Sequence, residues 1–236
     1  MSLTIACVAV NNYQGRQADY VNNLRKACQR QITIPHTFAC ITDDASGFAS
    51  DIRIIEKPKN AWGWWCKIYL FSPGLFTGRC LFFDLDTLLL ANLDDLANYD
   101  GPFACLGCAR YNRMFWSGVL AWESGKYDFI WTEWMKAGYP LYGDGDDHWM
   151  DFILRSRRSA VVRVQTKFTG IYSYKHHKCE KKLPEDARLV YFTKPKPHQA
   201  ADWVQRAWAN GGLITPEEFK PKPSFAERLA LKGQAT

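Results

Sequence analysis

Short, continuous apolar segments separated by a segment of helical spacing constrain the fold of this chain more than any other feature. Residues 3–10 (LTIACVAV), 37–42 (TFACIT) and 79–83 (RCLFF) are almost entirely apolar after their first residue. Residues 16–30 instead repeat apolar side chains at the spacing of an amphipathic helix. Uninterrupted apolar strands alternating with helices predict an α/β fold whose sheet is covered on both faces. In such sheets ligands bind beyond the carboxyl ends of the strands, so we expect the chemistry there.

The other segments complete the predicted order of elements. Further strands are expected at 51–56 (DIRIIE), 102–107 (PFACLG), 118–122 (GVLAW), 160–164 (AVVRV) and 187–192 (ARLVYF). Further helices are expected at 64–71 (WWCKIYLF), 124–138, 146–156 and 224–232. We expect Ser124 to cap the helix at 124–138 and Gly138 to end it. A single domain is predicted over 1–214, followed by a peripheral tail over 215–236.

The composition is that of an ordinary globular protein. Of 236 residues, 47% are hydrophobic and 23% are charged, which argues against disorder, collagen or a coiled coil over the whole chain. No apolar run approaches the roughly 20 residues that span a bilayer. The first residues have neither a basic start nor a small-residue cleavage site, so no signal peptide is expected. We therefore predict a cytoplasmic protein with no integral membrane segment.

The charge balance limits the kinds of partner that the chain is expected to bind. Thirty Lys and Arg against 24 Asp and Glu give a net charge of +6. This modest excess suits a phosphate-bearing substrate and does not demand nucleic acid, which we do not expect as a partner. The basic stretches late in the chain are ordinary solvated surface, or they allow weak association with an acidic glycan or membrane surface.

Eight cysteines lie mostly inside apolar segments, where they are expected to act as small buried side chains in a reducing compartment. Cys105 and Cys108 have the spacing of half a metal site. The distance along the chain to His176, His177 or Cys179 fits no common zinc module, so a structural zinc ion is not favoured.

Two acidic residues, Asp84 and Asp86, interrupt the most apolar stretch of the chain (RCLFFDLDTLLL, 79–90). An unpaired buried carboxylate is very costly, so both must face a cleft or be neutralised by a cation. Residues i and i+2 of a strand point to the same side, and two carboxylates at a strand end can therefore reach one divalent ion. Hard oxygen ligands suit Mg²⁺ or Mn²⁺. The alternative is an acidic turn that binds no metal.

Tryptophan residues are frequent, and most are expected in the core. Five of them are candidates to line a sugar site: Trp62, Trp64, Trp65, Trp131 and Trp134.

Six segments, taken in order along the chain, carry a resemblance to a known family. They are 8–13 (VAVNNY), 64–71 (WWCKIYLF), 79–90 (RCLFFDLDTLLL), 115–120 (FWSGVL), 143–147 (GDGDD) and 192–198 (FTKPKPH). In these segments the chain resembles the nucleotide-sugar glycosyltransferases of the GT-A fold, and within them the retaining family-8-like group and related small bacterial and phage enzymes. The resemblance implies a GT-A fold with a Rossmann-like, mostly parallel central sheet flanked by helices. It also implies transfer of a sugar from a nucleotide-diphosphate sugar, with UDP preferred, to a glycan or other acceptor with retention of configuration.

The resemblance also implies roles for individual residues. Contacts to the nucleotide sugar are expected from Val10, Asn11, Tyr13, Asp43, Lys67, Asp84, Leu85, Ser117, Gly118 and Lys196. Catalytic roles are expected for Asp144, Asp146 and Lys67. A Mn²⁺ or Mg²⁺ cofactor is expected on Asp84, Asp86 and His198. Several of these residues also have a purely structural interpretation. Lys67 and Lys196 could be surface lysines, Asp43 a turn residue and Tyr13 a packed side chain. Asp144 and Asp146 could cap a helix.

The sequence departs from the family pattern at four positions. Gly145 stands where the family has Gln in its G-D-Q-D segment, and Trp116 stands where it has Asn. Near the end, Val190 and Thr193 replace the usual His and Gly. The nearby His198 is therefore taken as the third metal ligand in place of the missing histidine.

Two other functions compete with glycosyl transfer. A nucleotidyl- or phosphoryl-transfer enzyme also needs paired acids, but it generally has a further acid and a Gly-rich phosphate loop, and no G-x-x-x-x-G-K-[ST] sequence is present. A non-catalytic sugar- or polyanion-binding protein would account for the tryptophans and the missing Gln.

Overall fold

Four parallel strands form the first half of the central sheet. The computed structural model describes residues 2–108, 115–141 and 145–214. The strands are β1 (Leu3–Ala9), β2 (Thr37–Thr42), β3 (Arg53–Glu56) and β4 (Arg79–Phe83). They pair in the order β3-β2-β1-β4, and helix α1 (Gln17–Gln31) connects β1 to β2. The predicted α/β fold is confirmed, and β1 and β4 are neighbours whose carboxyl ends meet at one edge.

The second half of the sheet introduces one antiparallel strand. β7 (Phe115–Glu123) runs antiparallel to both β4 and β6 (Phe103–Gly107), and β8 (Val161–Arg163) pairs in parallel with β6. The described part of the chain thus contains a seven-stranded sheet of order β3-β2-β1-β4-β7-β6-β8. Because β7 is reversed, its first residues, rather than its last, lie beside the carboxyl end of β4.

A small second sheet brings the C-terminal part of the chain back beside the acidic pair. It consists of β5 (Leu88–Leu89), β10 (Leu189–Tyr191) and β9 (Ile171–Ser173), with β10 in the middle. Leu88 pairs with Val190, so the segment that follows Asp86 is tied to the segment that precedes Lys196. Strands β5 and β9 were not predicted, because two or three residues are too few to show a period.

The remaining helices are short. They are α2 (Asp94–Ala97), α3 (Phe129–Lys136), α4 (Asp146–Ser156), α5 (Val164–Lys167) and α6 (Asp202–Ala209), with 3₁₀ helices at Tyr13–Gly15, Gly63–Phe71 and Pro197–Gln199. The helix predicted at 64–71 is present as the 3₁₀ helix Gly63–Phe71. The prediction that Ser124 caps α3 is wrong: α3 begins at Phe129, and the Ser124 hydroxyl donates to the Phe76 carbonyl at 2.7 Å. Gly138 does follow the end of α3, with a positive φ of 77°.

Alternate residues of the central strands pack into two different cores. Ile5, Leu81 and Phe83 face the core that includes α1 and the small sheet. Their neighbours Ala6 and Phe82 face the core that includes the 3₁₀ helix Gly63–Phe71, α3 and α4. Both faces of the sheet are therefore covered, as the continuous apolar strands predicted.

Seven of the eight cysteines are buried and all eight are free thiols, which fits their predicted role as small core side chains. The predicted tail over 215–236, with its helix at 224–232, lies outside the described residues, and the division at residue 214 stays a prediction. In the described ranges, no helix combines the length and the apolar character that crossing a membrane requires.

Candidate active site

A cavity of about 420 Å³ lies beyond the carboxyl ends of β1 and β4, where the fold class predicts a ligand. Three segments from the first half of the chain form its walls, and one lysine from the C-terminal part completes them. The lining residues are Val8, Val10, Asn11, Tyr13, Gln14, Gly63, Trp64, Lys67, Asp84, Leu85, Asp86 and Lys196. Eight predicted nucleotide-sugar or metal residues are among them: Val10, Asn11, Tyr13, Lys67, Asp84, Leu85, Asp86 and Lys196.

Asp84 is held at the end of β4 by its backbone and by one lysine. Its N–H donates to the Gly118 carbonyl at 2.8 Å, which continues the pairing of β4 with β7. The Lys67 Nζ lies 2.7 Å from Asp84 Oδ1. Gly118 lies directly against this carboxylate, because a Cβ at position 118 would be 3.4 Å from Asp84 Oδ2, an ordinary van der Waals contact.

Lys67 lies at the centre of a buried polar network. Its Nζ donates to Ser117 Oγ at 3.0 Å and lies 3.9 Å from Asp146 Oδ2, while the Ser117 hydroxyl donates to Asp146 at 2.6 Å. The Ser117 N–H donates to Asp147 Oδ1 at 2.6 Å. The carboxyl groups of Asp84 and Asp146 therefore lie next to the Lys67 ammonium group, and the charge of Asp147, bound through Ser117, also acts on it.

The charges of this network shift two pKa values. Burial alone would lower the pKa of Lys67, but the nearby carboxylates of Asp146 and Asp84 outweigh it and raise that pKa, so the ammonium form is favoured. Burial raises the pKa of Asp146 to about 7, although the charge of Lys67 opposes this shift, and the like charge of Asp147 adds to it. One lysine cannot neutralise three carboxylates, and burial favours the protonated form of Asp146.

Asp86 is the more deeply buried acid of the pair, and it forms an ion pair with Lys196. Burial raises the pKa of its carboxyl group even though the Lys196 charge opposes the shift, and the charge of Asp84 adds to it. Lys196 also lies 5.9 Å from the centre of the Tyr13 ring. The lysine that follows the small sheet therefore reaches the same cavity as the acidic pair.

The segment after β1 forms the remaining wall and has an unusual backbone. Asn11, Asn12 and Gln14 all have positive φ values, of 60°, 48° and 56°, which are uncommon for residues other than glycine. The carboxylate of Asp43 accepts hydrogen bonds from the Asn11 N–H at 3.0 and 3.2 Å. Asp43 does not line the cavity but holds this turn in place. Burial, followed by the charges of Asp86 and Asp84, raises the pKa of Tyr13, so its phenol stays neutral.

The other predicted residues occupy different places. Ser117, Gly118 and Asp146 lie behind Asp84 and Lys67 rather than on the cavity surface. Asp146 is the first residue of α4, and its carboxylate accepts from Ser117 instead of capping that helix. His198 Nδ1 lies 2.5 Å from the Tyr20 hydroxyl. Asp144 lies outside the described residues, and its predicted catalytic role stays a prediction.

The donor set of the cavity suits a hard divalent cation in part. Asp84 and Asp86 supply two carboxylates, and Mg²⁺ is usually bound by one or two carboxylates together with substrate phosphates. Within the described ranges, no three His, Cys, Asp or Glu side chains form a group that could hold a metal ion, so His198 is not brought together with the acidic pair. The third protein ligand therefore stays a prediction.

Some lining residues were not singled out from the sequence. Val8 belongs to an apolar strand, and Gln14 and Gly63 lie in short 3₁₀ helices, so nothing in their residue type indicates a site. Trp64 was one of five candidate tryptophans. The structure separates this group, because Trp65, Trp131 and Trp134 are core residues whereas Trp62 and Trp64 are more than half exposed.

Comparison with known proteins adds a fold assignment. The sequence matches no protein-family model, and a comparison with curated proteins finds no match either. Solved structures do resemble the chain. The apo form of the glycosyltransferase GlyE of Streptococcus pneumoniae TIGR4 aligns with 93% of this chain at 13% identity and a TM-score of 0.64. The galactosyltransferase LgtC, in complex with donor and acceptor sugar analogs, aligns with 92% of it at 14% identity and a TM-score of 0.62.

A third match is the bifunctional glycosyltransferase WbbM, which aligns with the whole chain at 13% identity and a TM-score of 0.61. The chain spans 99% of LgtC but only 62% of GlyE and 52% of WbbM. At these identities the matches show the fold, which is the GT-A glycosyltransferase fold that the sequence resemblance implied.

Proposed function

We propose that the chain is a glycosyltransferase that moves a sugar from a nucleotide-diphosphate sugar, with UDP as the preferred nucleotide, to a glycan or other acceptor. The observation that carries this proposal is the meeting of two acid–lysine pairs in one cavity, Asp84 with Lys67 and Asp86 with Lys196. The GT-A fold of the chain and of the glycosyltransferases it resembles supports the same activity.

The chemistry of a sugar nucleotide explains why such a cavity is needed. When the bond between the anomeric carbon and the diphosphate oxygen breaks, negative charge grows on the leaving diphosphate. Fixed positive charge near the leaving group lowers the barrier, since it is already oriented before the reaction. Among the described residues, the ammonium groups that line the cavity are those of Lys67 and Lys196. Lysine acts as a point charge and binds phosphate without needing a particular geometry.

The two carboxylates imply a further cation. With Asp84 and Asp86 each matched by one lysine, the lining is close to neutral and does not by itself attract a diphosphate strongly. We propose that Asp84 and Asp86 hold Mn²⁺ or Mg²⁺, which would supply the additional positive charge that a bound diphosphate requires. Asp86 fits this role because its buried carboxylate is costly to ionise unless positive charge is near.

The nucleotide base is assigned to the wall formed by the segment after β1. Tyr13 offers a neutral aromatic ring, and stacking on a base contributes roughly 1–3 kcal/mol. The turn held by Asp43 presents the backbone of Asn11 beside it. We propose that this wall binds uracil and that the acid–lysine pairs bind the diphosphate.

Retention of anomeric configuration is part of the proposal, and it rests on the family resemblance. It requires the acceptor hydroxyl to attack the sugar face from which the diphosphate departs. The configuration of the new bond in an isolated product, determined by NMR, tests it. An inverted linkage would reject retention without rejecting glycosyl transfer.

The decisive experiment is a thermal-shift and hydrolysis screen of sugar nucleotides. We expect UDP and UDP-sugars to raise the melting temperature only when Mn²⁺ or Mg²⁺ is present, and we expect at least one UDP-sugar to be hydrolysed slowly. Asp86→Asn should abolish the metal-dependent shift, whereas Asp151→Asn, on the exposed surface of α4, should leave it unchanged.

The same screen separates the competing functions. Formation of pyrophosphate from a nucleoside triphosphate and a sugar phosphate would indicate a nucleotidyltransferase instead. The absence of any nucleotide effect would favour a sugar- or polyanion-binding protein and would reject the proposed activity.

A further inference from the structure

Trp64 lines the cavity, but the proposed binding of the nucleotide sugar gives it no role. Of its surface, 59% is exposed to solvent. The neighbouring Trp65 is buried and stacks on Trp134 with ring centres 5.9 Å apart. Trp65 therefore anchors the start of the 3₁₀ helix Gly63–Phe71, and this anchor keeps Trp64 at the rim of the cavity.

The geometry of that helix aligns Trp64 with Lys67. In a 3₁₀ helix, side chains three residues apart lie on the same side, separated by about 6 Å along the axis. Lys67 is buried against Asp84, whereas Trp64 is exposed, so this side of the helix runs from the interior of the cavity to its mouth. The separation of about 6 Å between residues 64 and 67 along the helix axis is close to the size of one sugar ring.

The backbone of Gly145 packs against the indole of Trp64. A Cβ at Gly145 would lie 3.2 Å from Trp64 Nε1 and 3.5 Å from its Cδ1, so the absence of a side chain lets the indole pack against this residue. Gly145 is also the position at which the resembled family has Gln. In this chain the aromatic ring of Trp64 fills the space beside α4 that a longer side chain at position 145 would need.

The geometry points to Trp64 as the residue that binds the acceptor, by stacking its indole on the apolar face of an uncharged pyranose ring at the mouth of the cavity. This inference rests on the proposed function and specifies its acceptor as a saccharide. The acceptor must reach the anomeric carbon from solvent, and an exposed, anchored aromatic ring next to the diphosphate site is placed to meet it. An aromatic ring presents an apolar surface and loses little side-chain entropy when it binds.

Trp62 provides a matched control. It has the same residue type, lies two positions away, and is 53% exposed, but it is not among the residues that line the cavity. Both Trp64→Ala and Trp62→Ala remove an exposed tryptophan, so a difference between them reports the effect of the position beside the cavity. Trp64→Phe keeps an aromatic ring and serves as the conservative variant.

Two measurements test the inference with the full chain. Binding of methyl β-D-galactoside, methyl β-D-glucoside and methyl N-acetyl-β-D-glucosaminide is followed by saturation-transfer NMR with UDP and Mn²⁺ present. Hydrolysis of the UDP-sugar found in the screen is measured without acceptor. We expect at least one glycoside to bind, Trp64→Ala to weaken it about tenfold, and Trp64→Phe to recover most of that loss. Trp62→Ala should bind glycosides and hydrolyse the UDP-sugar as the unaltered protein does, whereas Trp64→Ala should weaken glycoside binding several times more than it lowers hydrolysis.

Each contrary result has a defined meaning. The inference is overturned if UDP binds but no glycoside does, or if Trp64→Ala binds glycosides normally. It is also overturned if Trp64→Ala lowers hydrolysis as much as glycoside binding, because the indole would then act on the donor. Failure of UDP to bind the unaltered protein would instead reject the proposed function, and the acceptor assignment with it.

Discussion

The two acid–lysine pairs of the cavity have the same composition but different surroundings. Lys67 lies on the 3₁₀ helix Gly63–Phe71 and contacts Asp84, Ser117 and Asp146, so it ties together β4, β7 and α4. Lys196 comes from the segment after the small sheet, pairs with Asp86, and is about twice as exposed as Lys67. The difference indicates that Lys67 supports both the fold and the site, whereas Lys196 chiefly serves the site.

The largest effect is expected from Lys67→Met. This change removes the ammonium group that lies next to Asp84 and Asp146, and breaking a buried ion pair typically costs about 3–5 kcal/mol. Urea unfolding at pH 8 should show a loss of this order. The double variant Lys67→Met/Asp146→Asn should recover part of the stability, because it removes one of the unpaired charges. A single variant as stable as the unaltered protein would contradict the central role given to Lys67.

A smaller loss of stability is expected from Lys196→Met. Asp86 is buried and would lose its partner, but Lys196 pairs with this one carboxylate and the charge of Lys67 still acts on Asp86, so we expect about 1–2 kcal/mol. UDP binding in the presence of Mn²⁺ should weaken at least tenfold, since a diphosphate contact is lost. If stability falls as far as in Lys67→Met, the distinction between the two pairs is wrong.

The Asp146 carboxyl group makes the Lys67 network sensitive to pH. Its pKa is about 7 in the folded protein and about 4 in an unfolded chain, so between these values the folded state binds more protons. Stability should therefore fall as the pH rises from 5 to 8. In Asp146→Asn this part of the slope should be absent. Urea unfolding of both proteins at pH 5, 6.5 and 8 measures the difference, and parallel curves would refute the assignment.

The smallest effect is expected on the exposed face of α4. Arg155 and Asp151 form an ion pair four residues apart, and such exposed pairs contribute about 0.3–0.5 kcal/mol. Arg155→Ala should change the free energy of unfolding by no more than this and leave UDP binding intact. Because Arg155 lies on the same helix as Asp146, this variant shows how much an exposed substitution on α4 changes the free energy of unfolding. The losses expected at the site can be compared with that value.

Local patterns predicted the fold class and part of the cavity lining. The apolar runs of β1, β2 and β4 and the spacing of α1 appear in the structure close to their predicted bounds. The acidic pair was noticeable because charge is costly inside an apolar stretch. The apolar runs, the helical spacing and the acidic pair each involve residues close together in the chain, so the sequence alone shows them.

Long-range pairings were harder to predict. Nothing local indicated that Val190 would pair with Leu88, or that Lys196 would thereby reach Asp86. The separation of Trp64 from Trp65 was equally hidden, since both are apolar residues in one short helix. The capping role of Ser124 was predicted wrongly because its hydroxyl found a partner across the fold, at Phe76.

By itself, the sequence determined that this protein folds around a sheet with two apolar faces and carries two carboxylates at the end of one of its strands. Periodicity and burial cost are properties of a few adjacent residues, which is why they can be read without a structure. The tertiary structure alone decided which lysine meets which carboxylate, that Asp146 lies behind Lys67, and which tryptophan reaches the mouth of the cavity. Those choices depend on how segments separated by up to 110 residues pack together, and no local pattern records them.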